Sequence, residues 1–166
     1  VLKKKLTPHP TLQKITQDIQ IAPLWEKPNL IIFVLGETSR AANFSLNGYH
    51  RPTNEALTPY LNELIYYPNT KACGTSTAIS VPCMFLPQNS RDYKIESEQY
   101  TENVLDIYKK AGYKILWIDN DGGCKNICNR VRYEQPCNKK TCLDDILLNN
   151  IKDKIEKNKE HNQLIV

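Results

Sequence analysis

Three apolar runs set the frame of this chain. Leu30-Ile31-Ile32-Phe33-Val34-Leu35, Tyr113-Lys114-Ile115-Leu116-Trp117-Ile118 and Gln163-Leu164-Ile165-Val166 are short, rich in branched and aromatic residues, and bounded by polar or turn-forming residues. Each reads as a buried strand rather than a half-exposed one. Between them the spacing turns helical. Val104, Leu105, Tyr108 and Ala111 recur on neighbouring turns over Thr101 to Ala111, and Gly112 stands where a helix end needs a left-handed residue. Leu143, Leu147, Ile151 and Ile155 fall four apart, with Thr141 as the cap, and predict another helix. Thr58-Pro59 predicts a short helix through Leu64, with Thr58 as N-cap and Pro59 in the first helical position. Strand, helix and strand in alternation, with polar residues at the strand ends, predict an α/β fold built on a parallel sheet.

Residues 1–29 read as a lead-in to that domain. Pro8 and Pro10 break its start, Leu12, Ile15 and Ile19 predict a surface helix, and Pro23 and Pro28 close it. The domain proper is expected over 30–166. Its last run begins a strand that the chain does not extend, and an open central strand is a liability. The expectation is therefore the N-terminal portion of a larger α/β domain. No repeat and no low-complexity tract interrupts it.

Composition adds a compartment. The six cysteines fall into three sequence-local pairs, Cys73 with Cys83, Cys124 with Cys128 and Cys137 with Cys142. Such pairing predicts three disulfides and an oxidising environment. The rival is a zinc ribbon formed by the last four, which lack the Gly-turned knuckles of such sites and would leave Cys73 and Cys83 over. Six cysteines allow fifteen connectivities, so spacing alone does not fix the pairs. No apolar run reaches the roughly twenty residues needed to cross a bilayer, and no signal peptide opens the chain. A targeting or membrane segment is accordingly expected upstream of Val1. The net charge of +4, partly from Lys3, Lys4, Lys5 and Lys14, is mild and reads as a solvated face.

Candidate chemistry sits at strand ends and in one hydroxyl cluster. Glu37 follows the first apolar run and precedes Thr38-Ser39-Arg40, which puts a carboxylate at the mouth of a strand, where α/β enzymes keep their sites. Thr75, Ser76, Thr77 and Ser80 lie inside the segment bracketed by Cys73 and Cys83. A carboxylate and a hydroxyl nucleophile together suggest metal-assisted group transfer. Taken singly, the hydroxyls read as a helix cap and Glu37 as a capping acid. The residues alone do not choose among the four hydroxyls.

The segments Gly36-Glu37-Thr38-Ser39-Arg40-Ala41, Asn47-Gly48-Tyr49-x-Arg51, Cys73-Gly74-Thr75-Ser76-Thr77-Ala78-x-Ser80-Val81-Pro82-Cys83-Met84-Phe85 and Trp117-x-Asp119-Asn120-x-x-Gly123-Cys124-Lys125 carry a resemblance. Together they resemble the phosphoethanolamine transferases that modify lipid A, a family that includes the mobile colistin resistance enzymes. The resemblance runs from about Asn29 to the end of the chain. It implies an alkaline-phosphatase-like or sulfatase-like α/β/α sandwich at the periplasmic face of the bacterial inner membrane, tethered by an N-terminal membrane region. It implies Zn2+ as cofactor, phosphatidylethanolamine as donor and a lipid A phosphate or related envelope group as acceptor. The expected partners are these lipids and the membrane surface, without nucleic acid, in a monomer. Residue by residue, it makes Glu37 a zinc ligand, Thr77 the nucleophile and a metal ligand, and Lys125 with Asn120 substrate contacts.

Two departures stand out. Asp121 replaces a second asparagine found in some relatives, which adds negative charge beside Asn120. The family's Asp-His-Gly-Glu segment does not occur, and His9, His50 and His161 stand in no such context. The fragment by itself is expected to be inactive. Two alternatives remain in view: a hydrolase of the same fold, or a disulfide-stapled extracytoplasmic binding module. The Cys/Ser-x-Pro-x-Arg segment of formylglycine sulfatases is not found.

Overall fold

The computed structural model describes residues 11–17, 19, 26–139 and 141–166. Lys3, Lys4, Lys5, Pro8, His9, Pro10 and Pro23 lie outside them. The chain divides into two compact units, one of residues up to Val34 with Cys73–Val166, the other Leu35–Ala72.

The first unit is built on four strands: β1 (Leu30–Ile32), β2 (Lys114–Ile118), β3 (Arg132–Glu134) and β4 (Gln163–Ile165). Their order is β1-β4-β2-β3, and every pairing is parallel. The strand that closes the sequence thus lies between β1 and β2, and Gln163, Leu164 and Ile165 are all buried. Around it run α1 (Thr77–Phe85), α2 (Val104–Lys110) and α3 (Ile151–Glu156). Phe85, at the end of α1, meets Phe33 edge-on at 5.6 Å and Trp117 at 5.5 Å. Leu105, Ile115, Trp117, Ile127 and Leu164 complete this apolar core.

Local chemistry explains α2 well. Asn103 caps it: its side chain accepts from the Leu105 N–H at 2.8 Å, while Asp106 reaches back to accept the Asn103 N–H at 2.8 Å. At the other end Gly112 takes φ +83°, letting the Tyr113 N–H reach the Tyr108 carbonyl and the Gly112 N–H that of Lys109. The Tyr108 and Tyr113 rings then pack at 4.9 Å across the cap. The helix is shorter than the periodicity of Thr101–Ala111 predicts because Asn103, the better cap, starts it.

Four other expectations change. Only Leu30–Ile32 forms a strand within the run to Leu35, and it is not buried: Ile32 is 54% and Val34 87% exposed. β1 is the outermost strand of the described sheet, so one side has no neighbour. The lead-in at 11–17 is not helical; Gln13 pairs with Thr101 through its backbone, and the Ile15 N–H donates to Glu102 at 3.0 Å. The helix placed at Thr58–Leu64 is instead a 3-10 turn over Glu55–Tyr60, with Pro59 inside it. The single helix predicted across Leu143–Ile155 breaks into a 3-10 turn over Asp144–Leu148 and α3, because Asn150 takes φ +56°. Leu143 is 81% exposed, so it lies on no buried face. β3 was not anticipated: its three residues carry too little alternation.

A polar clamp holds the layers. Arg130 grips Asp106 with two hydrogen bonds of 2.8 and 2.7 Å and donates to the Thr101 carbonyl at 3.0 Å. Asn103, 1% exposed, donates to the Ile127 carbonyl at 2.9 Å. Burial pushes the Asp106 carboxyl up, but the Arg130 hydrogen bonds, the Asn103 N–H and the Arg130 charge outweigh it and hold it below its ordinary value of 3.8. Glu102 behaves alike. Burial raises it, Lys110 and the Ile15 N–H lower it further, and it rests below 4.5.

Carboxyls depressed on folding stabilise the fold fully above their unfolded values. That contribution drains away as pH falls through the lower folded ones. Arg130→Ala should cost about 3–5 kcal/mol at pH 7, because it strands a buried carboxylate. Its loss of stability below pH 4 should also be shallower than that of the parent. Urea midpoints across a pH series read both effects, and an unshifted midpoint at pH 7 rejects the clamp.

Candidate active site

The hydroxyl cluster is a strapped helix start. Ser76 is the N-cap of α1 in an extended conformation, and Thr77 is its first helical residue, half-buried. A disulfide joins Cys73 to Cys83, so the segment before the helix is tied to the helix's own second turn. Gly74 is held against Ile79: an added Cβ would lie 2.7 Å from Ile79 Cγ2 and 3.1 Å from its Cβ. Only glycine permits that approach. Of the four candidate hydroxyls, Thr77 and Ser80 lie within the helix, and Thr77 stands at its first position, beside amide groups that have no partner within the helix. At 1.5 Å per residue it stands about 12 Å along α1 from Phe85, which anchors the helix in the core.

Glu37 belongs to the second unit and is exposed. The next residue, Thr38, holds φ +54°, an unfavourable conformation for a β-branched side chain, and its hydroxyl donates to Glu37 Oε1 at 3.0 Å. The Ser39 hydroxyl points to the Glu37 carbonyl at 3.4 Å. Backbone strain of this kind concentrates at functional turns. The Tyr49 and His50 rings pack at 4.7 Å in the following loop. Beyond them a cavity of about 360 Å3 is lined by Ser39, Arg40, Asn43, Phe44, Thr53 and Asn54.

A third feature lies where β2 ends. The loop from Asp119 carries Gly122, Gly123, Lys125 and Asn126 all at positive φ, closed by a disulfide between Cys124 and Cys128. Lys125 Nζ donates to the Gly122 carbonyl at 2.7 Å, and both residues line a cavity of about 490 Å3 together with Asn126, Val131 and Tyr133. Asn126 donates to buried Glu98 at 3.4 Å, which also accepts from Tyr93 at 3.2 Å. The Tyr133 hydroxyl donates to Asp119 at 3.0 Å; its pKa is pushed up to about 12 by burial, with the Asp119 hydrogen bond and charge adding to it. Asn120 points its amide at the carbonyls of Cys142 and Leu143 and at Asp144, at 3.3–3.5 Å. Tyr133, Glu98 and the Asn103 clamp were missed from sequence. The Asn103-x-x-Asp106 spacing, a capping-box pattern, was the available signal.

The third expected disulfide, Cys137 to Cys142, is also formed, so all six cysteines are joined within the three sequence-local pairs, a connectivity that spacing alone left open, and none remains for a zinc ribbon. Among the described residues, no three His, Cys, Asp or Glu side chains gather closely enough to hold a metal ion. Glu37 in its unit offers a carboxylate and Thr77 in the other a hydroxyl, each an oxygen donor of the kind zinc takes. His161 is exposed after α3. Among the described residues, no helix is long and apolar enough to cross a membrane.

A parallel α/β sheet together with these segments matches a known class. The family model described as Sulfatase covers residues 29–166, and the chain belongs to that family. Within it, the chain is 44% identical over 155 residues to phosphoethanolamine transferase EptA of Escherichia coli K12, covering 87% of this chain and 28% of that protein. It is 36% identical over 148 residues to phosphatidylethanolamine transferase Mcr-1 of Escherichia coli, covering 89% of this chain and 27% of that one. The crystal structure of the soluble domain of lipooligosaccharide phosphoethanolamine transferase A from Neisseria meningitidis superposes with a TM-score of 0.85 at 36% identity, over 95% of this chain and 49% of that one. The resemblance to phosphoethanolamine transferases thus holds, and with it the sulfatase-like α/β fold. The chain spans little more than a quarter of the length of the curated relatives it matches.

Gly74→Ala should destabilise the strapped helix start by about 1–3 kcal/mol, the cost of forcing a methyl group into a filled site. Ile79→Ala removes Cγ2, the nearest obstructing atom, and Cδ1, and leaves only Cβ in the way. A double-mutant cycle read by thermal unfolding should show the pair costing less than the sum of the single changes; strict additivity would contradict the close approach.

Proposed function

We propose that this chain is part of the catalytic domain of a zinc-dependent phosphoethanolamine transferase of the cell envelope. Its donor is phosphatidylethanolamine and its acceptor a phosphate of lipid A or a related glycolipid. The observation that supports this most strongly is the seating of Thr77: a half-buried hydroxyl on the first turn of α1, strapped by Cys73–Cys83 within a segment that resembles the family's nucleophile motif.

Thr77 Oγ1 attacks the donor phosphorus. The bond from phosphorus to the diacylglycerol oxygen breaks, and diacylglycerol leaves with the proton. An oxygen of the acceptor phosphate then attacks the same phosphorus, the bond to Thr77 breaks, and Thr77 Oγ1 takes up the proton that the acceptor phosphate gives up. A threonine hydroxyl is a weak nucleophile at neutral pH. Zinc, when bound, supplies the Lewis acidity that lowers the cost of its alkoxide. Glu37 and Thr77 would be the ligands this chain contributes to it. Lys125, on its disulfide-closed loop, offers a point charge to a phosphate oxygen, with Asn120 nearby in sequence. The three disulfides fit an oxidising compartment, and the lipid substrates fit the periplasmic face of the inner membrane.

In the complete protein, Thr77→Ala should lower phosphoethanolamine transfer by about three orders of magnitude or more, as removal of a nucleophile does. Thr77→Ser, which keeps the hydroxyl, should retain part of the activity. Mass spectrometry of lipid A from cells expressing each variant measures both, and undiminished modification by Thr77→Ala rejects the nucleophile.

A further inference from the structure

The cavity of about 360 Å3 in the Leu35–Ala72 unit has a chemistry of its own. Its lining is Thr38, Ser39, Arg40, Asn43, Phe44, Thr53 and Asn54, with no carboxylate among them. Arg40 is exposed and has no acid partner among the described residues. The loop itself is firmly built. Thr53 Oγ1 donates to the Asn43 carbonyl at 2.6 Å and accepts the Ser45 N–H at 2.9 Å. Asn54 Oδ1 accepts from the Ser45 hydroxyl at 3.3 Å and the Leu46 N–H at 3.4 Å. These bonds fix the Asn54 oxygen inward to the loop and leave its Nδ2 donors with no partner among the described residues. The Asn43 amide is likewise uncommitted there, since only its backbone is bonded. Thr38 is different: its hydroxyl proton goes to Glu37.

We propose that this cavity binds a phosphorylated sugar, with the phosphate on Arg40 and the amides of Asn43 and Asn54, and the sugar against Phe44. A guanidinium beside amide donors, without a competing carboxylate, suits an oxyanion. The volume lies in the range of small-ligand sites and exceeds what a bare phosphate fills. An aromatic face suits the apolar side of a pyranose ring. The strained Thr38 turn holds Arg40 two residues downstream at the cavity rim. In assigning this ligand to the acceptor, the inference rests on the proposed transfer reaction; the binding itself does not.

The test is a titration of the complete isotopically labelled chain with glucosamine 1-phosphate, glucosamine, inorganic phosphate and glycerophosphoethanolamine, the last standing for the donor headgroup. Glucosamine 1-phosphate should shift the amide signals of Ser39, Arg40, Asn43 and Asn54 and bind more tightly than the other three. Arg40→Ala should weaken it about tenfold or more, the scale of charge-assisted hydrogen bonds. Arg40→Lys, which keeps the charge but not the planar fork, should fall between. Equal binding of glucosamine, or unchanged affinity in Arg40→Ala, overturns the site. Inorganic phosphate binding as tightly overturns the sugar, and glycerophosphoethanolamine binding as tightly overturns the acceptor assignment. The titration reads binding without turnover, so its failure and that of the Thr77 nucleophile are told apart.

Discussion

Everything in the sheet passes through β4. β1 and β2 have no pairing with each other, and each lies alongside the strand made by Gln163–Ile165, so without it the sheet reduces to β2 and β3. The register is pinned at both ends. At one end the Asn29 N–H donates to Asn162 Oδ1, the Tyr113 hydroxyl donates to Asn29 Oδ1, and the Lys114 N–H donates to the Asn162 carbonyl, all within 2.8–2.9 Å. At the other, the Phe33 N–H reaches the Ile165 carbonyl and the Ile118 N–H that of Val166, both at 2.8 Å. Gln163 is tolerated in the core because its side-chain amide donates to the Ile155 carbonyl at the end of α3. Loop closure over so long a stretch of chain is entropically costly, and burial of Leu164 and Ile165, each worth about 1.5–3 kcal/mol, helps offset it.

A second layer of constraint carries that order to the loop after β2. Asn103 serves two masters: it caps α2 and donates to the Ile127 carbonyl inside the Cys124–Cys128 loop. Asp106 does the same through Arg130. With Glu98 holding Asn126, the left-handed pair Lys125-Asn126 is fixed by buried groups and a disulfide. The charged loop is therefore preorganised by helix α2, which lies against β2. On the Thr77 side the same logic uses other parts, a disulfide and a glycine that lets Ile79 close in.

The features legible in the sequence were those with a local cause. The Tyr113–Ile118 and Gln163–Val166 strands, the Gly112 helix end and the three cysteine pairs each follow from residues close together in the chain. Errors arose where spacing imitated a helix. Leu143 to Ile155 keep the right interval, yet the 3-10 turn, Asn149 and a left-handed Asn150 break the rod. The lead-in failed for another reason. Gln13 takes its backbone partners from Tyr100 and Glu102, far along the chain, and that pairing overrides its periodicity.

By itself the sequence determined the class of fold, the oxidised cysteines and the short list of chemical residues, because alternation, loop closure and motif spacing are properties of neighbours. Only the tertiary structure decided that the final strand is inserted between β1 and β2 and that Asn103, Glu98 and Arg130 brace the Lys125 loop. It also showed that Arg40 faces a cavity without an acid. Those outcomes depend on which distant groups compete for the same hydrogen bonds and buried space, and no local pattern records that competition.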